Sequence, residues 1–186
     1  MKRLFDFLLA AILLLIFSIP LLLLCLLVRL TSKGPAIYWS DRVGQNNQIF
    51  KMAKLRTMKV DAPVVATHLI ADPKSLLTPI GGFLRKSSLD ELPQLWNILV
   101  GDMGFVGPRP ALFNQQDLIE LRTQMGVDTL RPGLTGWAQV NGRDELEIPE
   151  KVKLDEEYLH RESFFFDIQI LYLTFLKVIR RDGVSH

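Results

Sequence analysis

Three stretches of this chain concentrate residue types that can do chemistry. RKSSLDELPQLWNIL (85–99) carries two adjacent carboxylates, Asp90 and Glu91, a few residues after the basic pair Arg85–Lys86. GDMGFVGPRP (101–110) and LRPGLTGWAQVNGR (130–143) are dense in Gly, Pro and Arg. Glycines let backbone amides come close to a ligand, and prolines fix a loop. Arg109, Arg131 and Arg143 would then offer forked donors matched to phosphate oxygens. Neither stretch contains GK[ST] or GxGxxG, and each by itself also reads as a plain cluster of turns.

The acidic pair has two readings. Ser88 and Glu91 fit an S-x-x-E capping box, in which the acids only start a helix. Pro93 argues against a helix capped at Ser88, because it would fall inside that helix where its missing N–H costs a hydrogen bond. A helix beginning nearer Asp90 leaves both carboxylates at its mouth beside Arg85 and Lys86. There they could hold a hard divalent cation and a diphosphate together.

The elements that must position these residues are legible in outline. Ala36 to Leu55 alternates as a β-hairpin, AIYWSDRV and QIFKMAKL around a turn at Gly44–Asn47. Val60 to Leu77, with Pro63 and Pro73, reads as an irregular surface loop. Helical patterns cover Leu92–Val100, Phe113–Met125 and Pro149–Arg161. Ser163–Arg181 is apolar with a narrow polar stripe of Asp167, Thr174, Lys177 and Arg181. Such a helix belongs in a core or in a membrane interface, and core is the commoner fate. Trp96 falls on an apolar helical pattern and is expected in the core. Trp39 and Trp137 suit an interface or a stacking platform. His68, His160 and His186 form no ligand pattern, and the lone Cys25 excludes an internal disulfide.

The amino-terminal segment is of another kind. Residues 7–28 contain no charge over 22 positions, about 33 Å as a straight helix and enough to cross a bilayer core. The run is too long for a signal peptide, and no small-x-small cleavage site follows Val28. Pro20 cannot donate to the Ile16 carbonyl, so a kink or break is expected, with Ser18 placed to satisfy a freed carbonyl. Basic residues flank both ends: Lys2 and Arg3 before, Arg29, Lys33 and Arg42 after. Since basic flanks favour the cytoplasmic side, a hairpin bent at Ser18–Pro20 competes with a single kinked span.

The segment explains a mean hydropathy of +0.19. The net charge of +2 is also a sum of unlike parts: +3 over residues 1–33, +4 over 42–109 and −5 over 144–162. So small a surplus excludes nucleic acid as a partner. It leaves room for a small anion at residues 42–109, while 144–162 reads as a solvated helix face.

Taken together, KLRTM (54–58), SLDELPQLWNIL, GDMGFVGPRP and RPGLTGWAQVNGR resemble the bacterial sugar transferase family, the small monotopic phosphoglycosyl transferases. The resemblance runs from the apolar start to LKVIRRDGVS, with four motifs in order, and is to the minimal form without extra transmembrane helices. It implies an α+β protein: a re-entrant, broken membrane helix over residues 1–33, then a compact, mostly helical cytoplasmic domain over 34–186 with a small β-hairpin and amphipathic interfacial helices. It implies transfer of a sugar-1-phosphate from a UDP-sugar to undecaprenyl phosphate with release of UMP. Asp90 and Glu91 would be the catalytic dyad, Asp90 as nucleophile, with Mg²⁺ held by one or both. Arg85, Arg109, Arg131 and Arg143 would bind phosphate, Arg85 and Arg109 foremost. Ser18 and Pro20 would form the bend, one residue looser than the adjacent Ser-Pro of the family. Membrane lipids are the further partner, at the cytoplasmic face of the bacterial inner membrane. No pattern sets an oligomeric state or selects the sugar. Two other classes compete: a non-enzymatic membrane adaptor, and a glycosyltransferase that moves the sugar alone and releases UDP.

Overall fold

A computed structural model describes residues 1–65, 72, 74–142 and 146–180. Helix α1 (Lys2–Thr31) leads into an antiparallel hairpin of β1 (Ile37–Val43) and β2 (Ile49–Leu55), in register from Ile37 opposite Leu55 to Val43 opposite Ile49. Asn46 and Asn47 close its turn with φ of 53° and 59°, a region that asparagine tolerates well. Short helices α2 (Gly81–Lys86) and α3 (Gln94–Val100) follow. Then come β3 (Gly104–Val106), α4 (Gln116–Gln124), β4 (Gly133–Thr135), α5 (Trp137–Asn141), α6 (Ile148–Arg161) and α7 (Phe164–Arg180). The expected hairpin and four helical patterns are all found. Part of the loop between β2 and α2 lies outside the described residues, as do His68, Arg181 and His186.

Helix α1 carries two faces. Lys2, Asp6, Ala10, Leu13, Leu21, Leu24 and Val28, spaced for one side of a helix, lie against the domain. Leu8, Ile12, Leu15, Ile19, Leu22, Leu26 and Leu30 form the opposite side, each at least 50% exposed. A continuous leucine face of this length in water would be strongly unfavourable, so it requires an apolar cover. The first half of α1 packs into the main core with Ile98, Met103, Phe105, Tyr158 and Ile170. Its last third packs with Leu55 and Leu84. Residues 15–20 belong to neither group. The backbone stays helical across Pro20, so the break expected at Ser18–Pro20 is not seen. One missing donor leaves the neighbouring bonds of the helix intact, and the Ser18 hydroxyl donates to Leu15 O at 2.7 Å, not to Ile16 O.

The start of α1 is tied to the far end of the chain. Lys2 Nζ donates to Asp167 Oδ2 (2.7 Å), Tyr158 Oη (2.6 Å) and Val106 O (3.1 Å). The contact also sets the orientation of α7. Its polar residues point inward, Asp167 to Lys2 and Tyr158, Thr174 to Thr135. Phe165, Ile168, Tyr172, Phe175 and Val178 point out, Phe165 at 84% exposure. Phe166 and Ile170 enter the main core, so α7 is buried on one side and exposes apolar side chains on the other. Trp96 also departs from expectation: it is 51% exposed, on the outer side of α3.

The two Gly-Pro-Arg stretches are neighbours. Strands β3 and β4 pair in parallel, Gly104 with Gly133 and Val106 with Thr135. A Cβ on Gly133 would stand 2.1 Å from Gly107 N, and one on Gly107 2.3 Å from Arg131 O. These glycines therefore bring two backbones together, and the pairing, not a ligand, accounts for them.

Candidate functional site

The carboxylate pair sits on a 3₁₀ turn, Leu89–Glu91, between α2 and α3. Helix α3 starts only at Gln94, with Pro93 as its N-cap. No capping box forms: Ser88 makes no side-chain cap bond and is itself left-handed, at φ 56°. The Glu91 side chain turns away to meet cations. A serine in that region costs about 1–2 kcal/mol, which the surrounding packing must offset.

Packing fixes this turn from both sides. Asn97, 1% exposed, accepts from Ala53 N at 2.9 Å and donates to Lys51 O at 2.8 Å, stitching α3 to β2. Lys54, three residues on from Lys51, thereby meets Glu91. Leu89, next to Asp90, packs with Val28, Leu84 and Leu24 at the end of α1. Asp90 is thus one residue from the contact with the end of α1.

The two carboxylates differ sharply. Glu91 Oε1 accepts from Lys54 Nζ at 3.0 Å and from Arg109 Nη2 at 3.1 Å. Burial alone would push its pKa up, but Lys54 and Arg109 outweigh it and hold the carboxyl far below the usual range. Asp90 is 7% exposed and, among the described residues, no hydrogen bond or ion pair holds its carboxylate. Burial raises its pKa, Lys54 opposes, and Glu91 beside it adds to the rise. One carboxylate is a pinned counter-ion, and the other is buried and, among the described residues, uncommitted.

Of the four predicted phosphate binders, two join the site. Arg109, in the Pro108–Arg109–Pro110 segment after β3, reaches Glu91. Arg85 donates through Nε to Thr57 Oγ1 at 3.0 Å and lies close enough to Asp90 to lower its pKa. Arg131 is not brought in: among the described residues its guanidinium makes no ion pair or hydrogen bond, and its backbone serves the β3–β4 crossing. Arg143 lies outside the described residues.

Sequence reasoning missed Lys54, Arg42 and Gln94. Tyr38, Ser40 and Arg42 stand opposite Lys54, Met52 and Phe50 in the hairpin register, so all six share one face. A lysine and an arginine in phase with Phe50 and Met52 was the available signal. Arg42 donates to Pro110 O (3.2 Å) and Ser40 Oγ (3.1 Å). Burial, and then Arg109, lower its pKa to about 10.

The donor set bears on a magnesium ion. Among the described residues no three His, Cys, Asp or Glu side chains converge. Asp90 supplies one free hard oxygen donor, which suits Mg²⁺ bound mainly through substrate phosphates and water. Glu91, with both cations on one oxygen, suits it much less.

Residues 1–181 match the family model of bacterial sugar transferases. The chain belongs to the bacterial sugar transferase family. A protein of Escherichia coli (strain K12) named UDP-glucose:undecaprenyl-phosphate glucose-1-phosphate transferase is 42% identical over 186 residues, covering 95% of this chain and 40% of the relative. The uncharacterized sugar transferase EpsL of Bacillus subtilis (strain 168) is 40% identical, covering 100% and 90%. The undecaprenyl-phosphate galactose phosphotransferase of Salmonella typhimurium is 36% identical, covering 98% and 41%. The family member described here therefore spans about two fifths of the Escherichia and Salmonella relatives and nine tenths of the Bacillus one.

Proposed function

We propose that the chain transfers a sugar-1-phosphate from a UDP-sugar to undecaprenyl phosphate in two displacements at Asp90. The observation that carries this is the contrast within the dyad: Glu91 committed to Lys54 and Arg109, Asp90 buried and uncommitted. In the first displacement an Asp90 oxygen attacks the sugar-bearing phosphorus of the donor. The bond from that phosphorus to the bridging oxygen breaks, and UMP leaves with the electron pair. In the second, an oxygen of undecaprenyl phosphate attacks the same phosphorus and the aspartyl–phosphorus bond breaks, restoring Asp90. Splitting the reaction keeps two anionic substrates from having to meet at once.

Lys54, Arg85 and Arg109 supply cations around the phosphoryl group, and Glu91 holds two of them in place. Asp90 would hold Mg²⁺ together with the donor phosphates, and the ion would offset charge on those phosphates. An adaptor has no use for a buried, uncommitted carboxylate among cations, which favours the enzyme.

The membrane reading follows from the same geometry. Both ends of α1 dock on one domain, which suits a helix that stays on the cytoplasmic side of the inner membrane with its leucine face in the lipid; the re-entrant form would need a bend at Ser18–Pro20 beyond the unbroken helix seen here. The outward face of α7 would lie in the interface beside it. The deciding experiment supplies wild-type and Asp90→Asn protein in nanodiscs with UDP-sugars. Wild type is expected to release UMP and carry labelled phosphosugar. Asp90→Asn should do neither while staying folded and membrane-bound. UDP release, or an active Asp90→Asn, would overturn the reading.

A further inference from the structure

Beside Glu91, Arg42, Met52, Lys54, Gln94, Arg109 and Pro110 enclose a cavity of about 10 Å³, room for one water-sized group. Gln94 is 2% exposed, and its Nε2 is buried without a hydrogen-bond partner. Leaving a buried donor unsatisfied is costly, and folding proteins seldom accept it without a use for the group. Apolar side chains would fill this position without cost. The walls supply three cations: Lys54 and Arg109 pair with Glu91, and Arg42 donates to Pro110 O and Ser40 Oγ. An amide N–H beside three cationic side chains is suited to an anionic oxygen.

We propose that Gln94 Nε2, with Arg42, Lys54 and Arg109, forms a subsite for a single anionic oxygen of a phosphoryl group, and that Gln94 contacts substrate directly. The inference rests on the transfer reading and adds two residues, Arg42 and Gln94, to its machinery. The oxygen has two possible sources, the donor diphosphate and the acceptor phosphate, and binding measurements separate them.

The test uses the full chain in nanodiscs, comparing wild type with Gln94→Met, a near-isosteric change that removes only the amide. UDP, uridine and farnesyl phosphate are titrated onto each, and unliganded thermal unfolding is followed. A hydrogen bond to a charged group is lost, so affinity for the phosphate-bearing ligand should fall by about tenfold or more. Uridine affinity should not change. Weakening confined to UDP places the donor in the subsite, and weakening of farnesyl phosphate places the acceptor there. The unliganded variant should melt no lower than wild type, because an unpaired buried amide has been removed. A purely structural glutamine, or one that only binds a water, would give the opposite pattern: lower melting temperature with unchanged affinities. Either unchanged phosphate affinities or a wild type that binds neither phosphate ligand overturns the proposal. Wild-type UMP release is measured in parallel, so failure of the transfer reading is seen separately from failure of the subsite.

Discussion

Arg122 and Asp155 offer a way to separate holding the fold from holding the site. Arg122, on α4, donates through Nε (3.0 Å) and Nη2 (2.6 Å) to Asp155 Oδ2 on α6. Its third arm, Nη1, donates to the backbone oxygen of Arg109 at 2.8 Å. Asp155 thereby orients a guanidinium that grips the segment whose side chain reaches Glu91. The pair is buried, with side chains 10% and 1% exposed. Asp155→Ala strands a buried cation and should cost about 3–5 kcal/mol. At roughly 2–4 °C per kcal/mol for a chain of this size, the melting temperature should fall by about 6–20 °C. Burial raises the Asp155 pKa in spite of Arg122, so desolvation outweighs pairing. The double variant Arg122→Met/Asp155→Leu should therefore regain most of the stability. It should not regain activity, because the bond from Arg122 to the Arg109 carbonyl is then lost, and a displacement of about 1 Å at a reacting group can cost on the order of 10²-fold in rate. Thermal unfolding followed by tryptophan fluorescence, beside UMP release with kcat and KM resolved, reads both quantities. A stable double variant with wild-type kcat would refute the positioning role.

Three further outcomes follow from the same contacts. Glu91 has a folded pKa held well below its ordinary 4.5, so its stabilising contribution is present above that value and is lost as pH falls below it; acid titration of Glu91→Gln should lose that part of the pH dependence, and an unaltered profile counts against the pinned dyad. Gly133→Ala would place a Cβ 2.1 Å from Gly107 N, so the purified variant should be severely destabilised; a melting temperature near wild type would contradict the close β3–β4 crossing. Lys2→Met leaves Asp167 without its cation. Cysteine labelling near residue 4 should then show a loosened start of α1, and unchanged labelling would mean that the ion pair is dispensable.

Elements with local signals were legible in the sequence. The hairpin followed from alternation, α6 from Pro149 near its start, and α7 from its period. What stayed hidden depends on which faces meet. The parallel pairing of Gly104–Val106 with Gly133–Thr135 joins segments far apart in the chain, and three-residue strands carry no periodic signal. Glycine near arginine then suggested phosphate at both stretches, although of the arginines there that are described, Arg109 reaches the dyad and Arg131 does not bond to it. Arg131 follows the same local pattern but serves the crossing. Ser88–Glu91 obeyed the capping pattern, yet the nearby cations Lys54 and Arg109 claim the Glu91 carboxylate more strongly than a backbone N–H would. Lys54 and Arg42 were readable in principle, because the register of one hairpin sets both in phase with Phe50 and Met52.

Asp167 and Thr174 of the polar stripe of α7 face the domain, and the reason bears on how the two long helices are held. A polar stripe on a helix normally faces water because nothing inside competes for it. Here Lys2 arrives from α1 and offers Asp167 a cation, so Asp167 and Thr174 turn inward beside the buried Phe166 and Ile170, while Phe165, Tyr172 and Phe175 turn out. The same contact fixes the start of α1, while Val28, Leu84 and Leu89 fix its end beside Asp90. The outer faces of α1 and α7 thus belong to a unit clamped at both ends of α1, with Asp90 at one clamp. A lipid whose phosphate lies at the headgroup level would need to travel little to reach that point. A water-soluble acceptor would gain nothing from it. Under the proposed function, a lipid-borne acceptor would therefore meet Asp90 beside the contact of Leu89 with the end of α1.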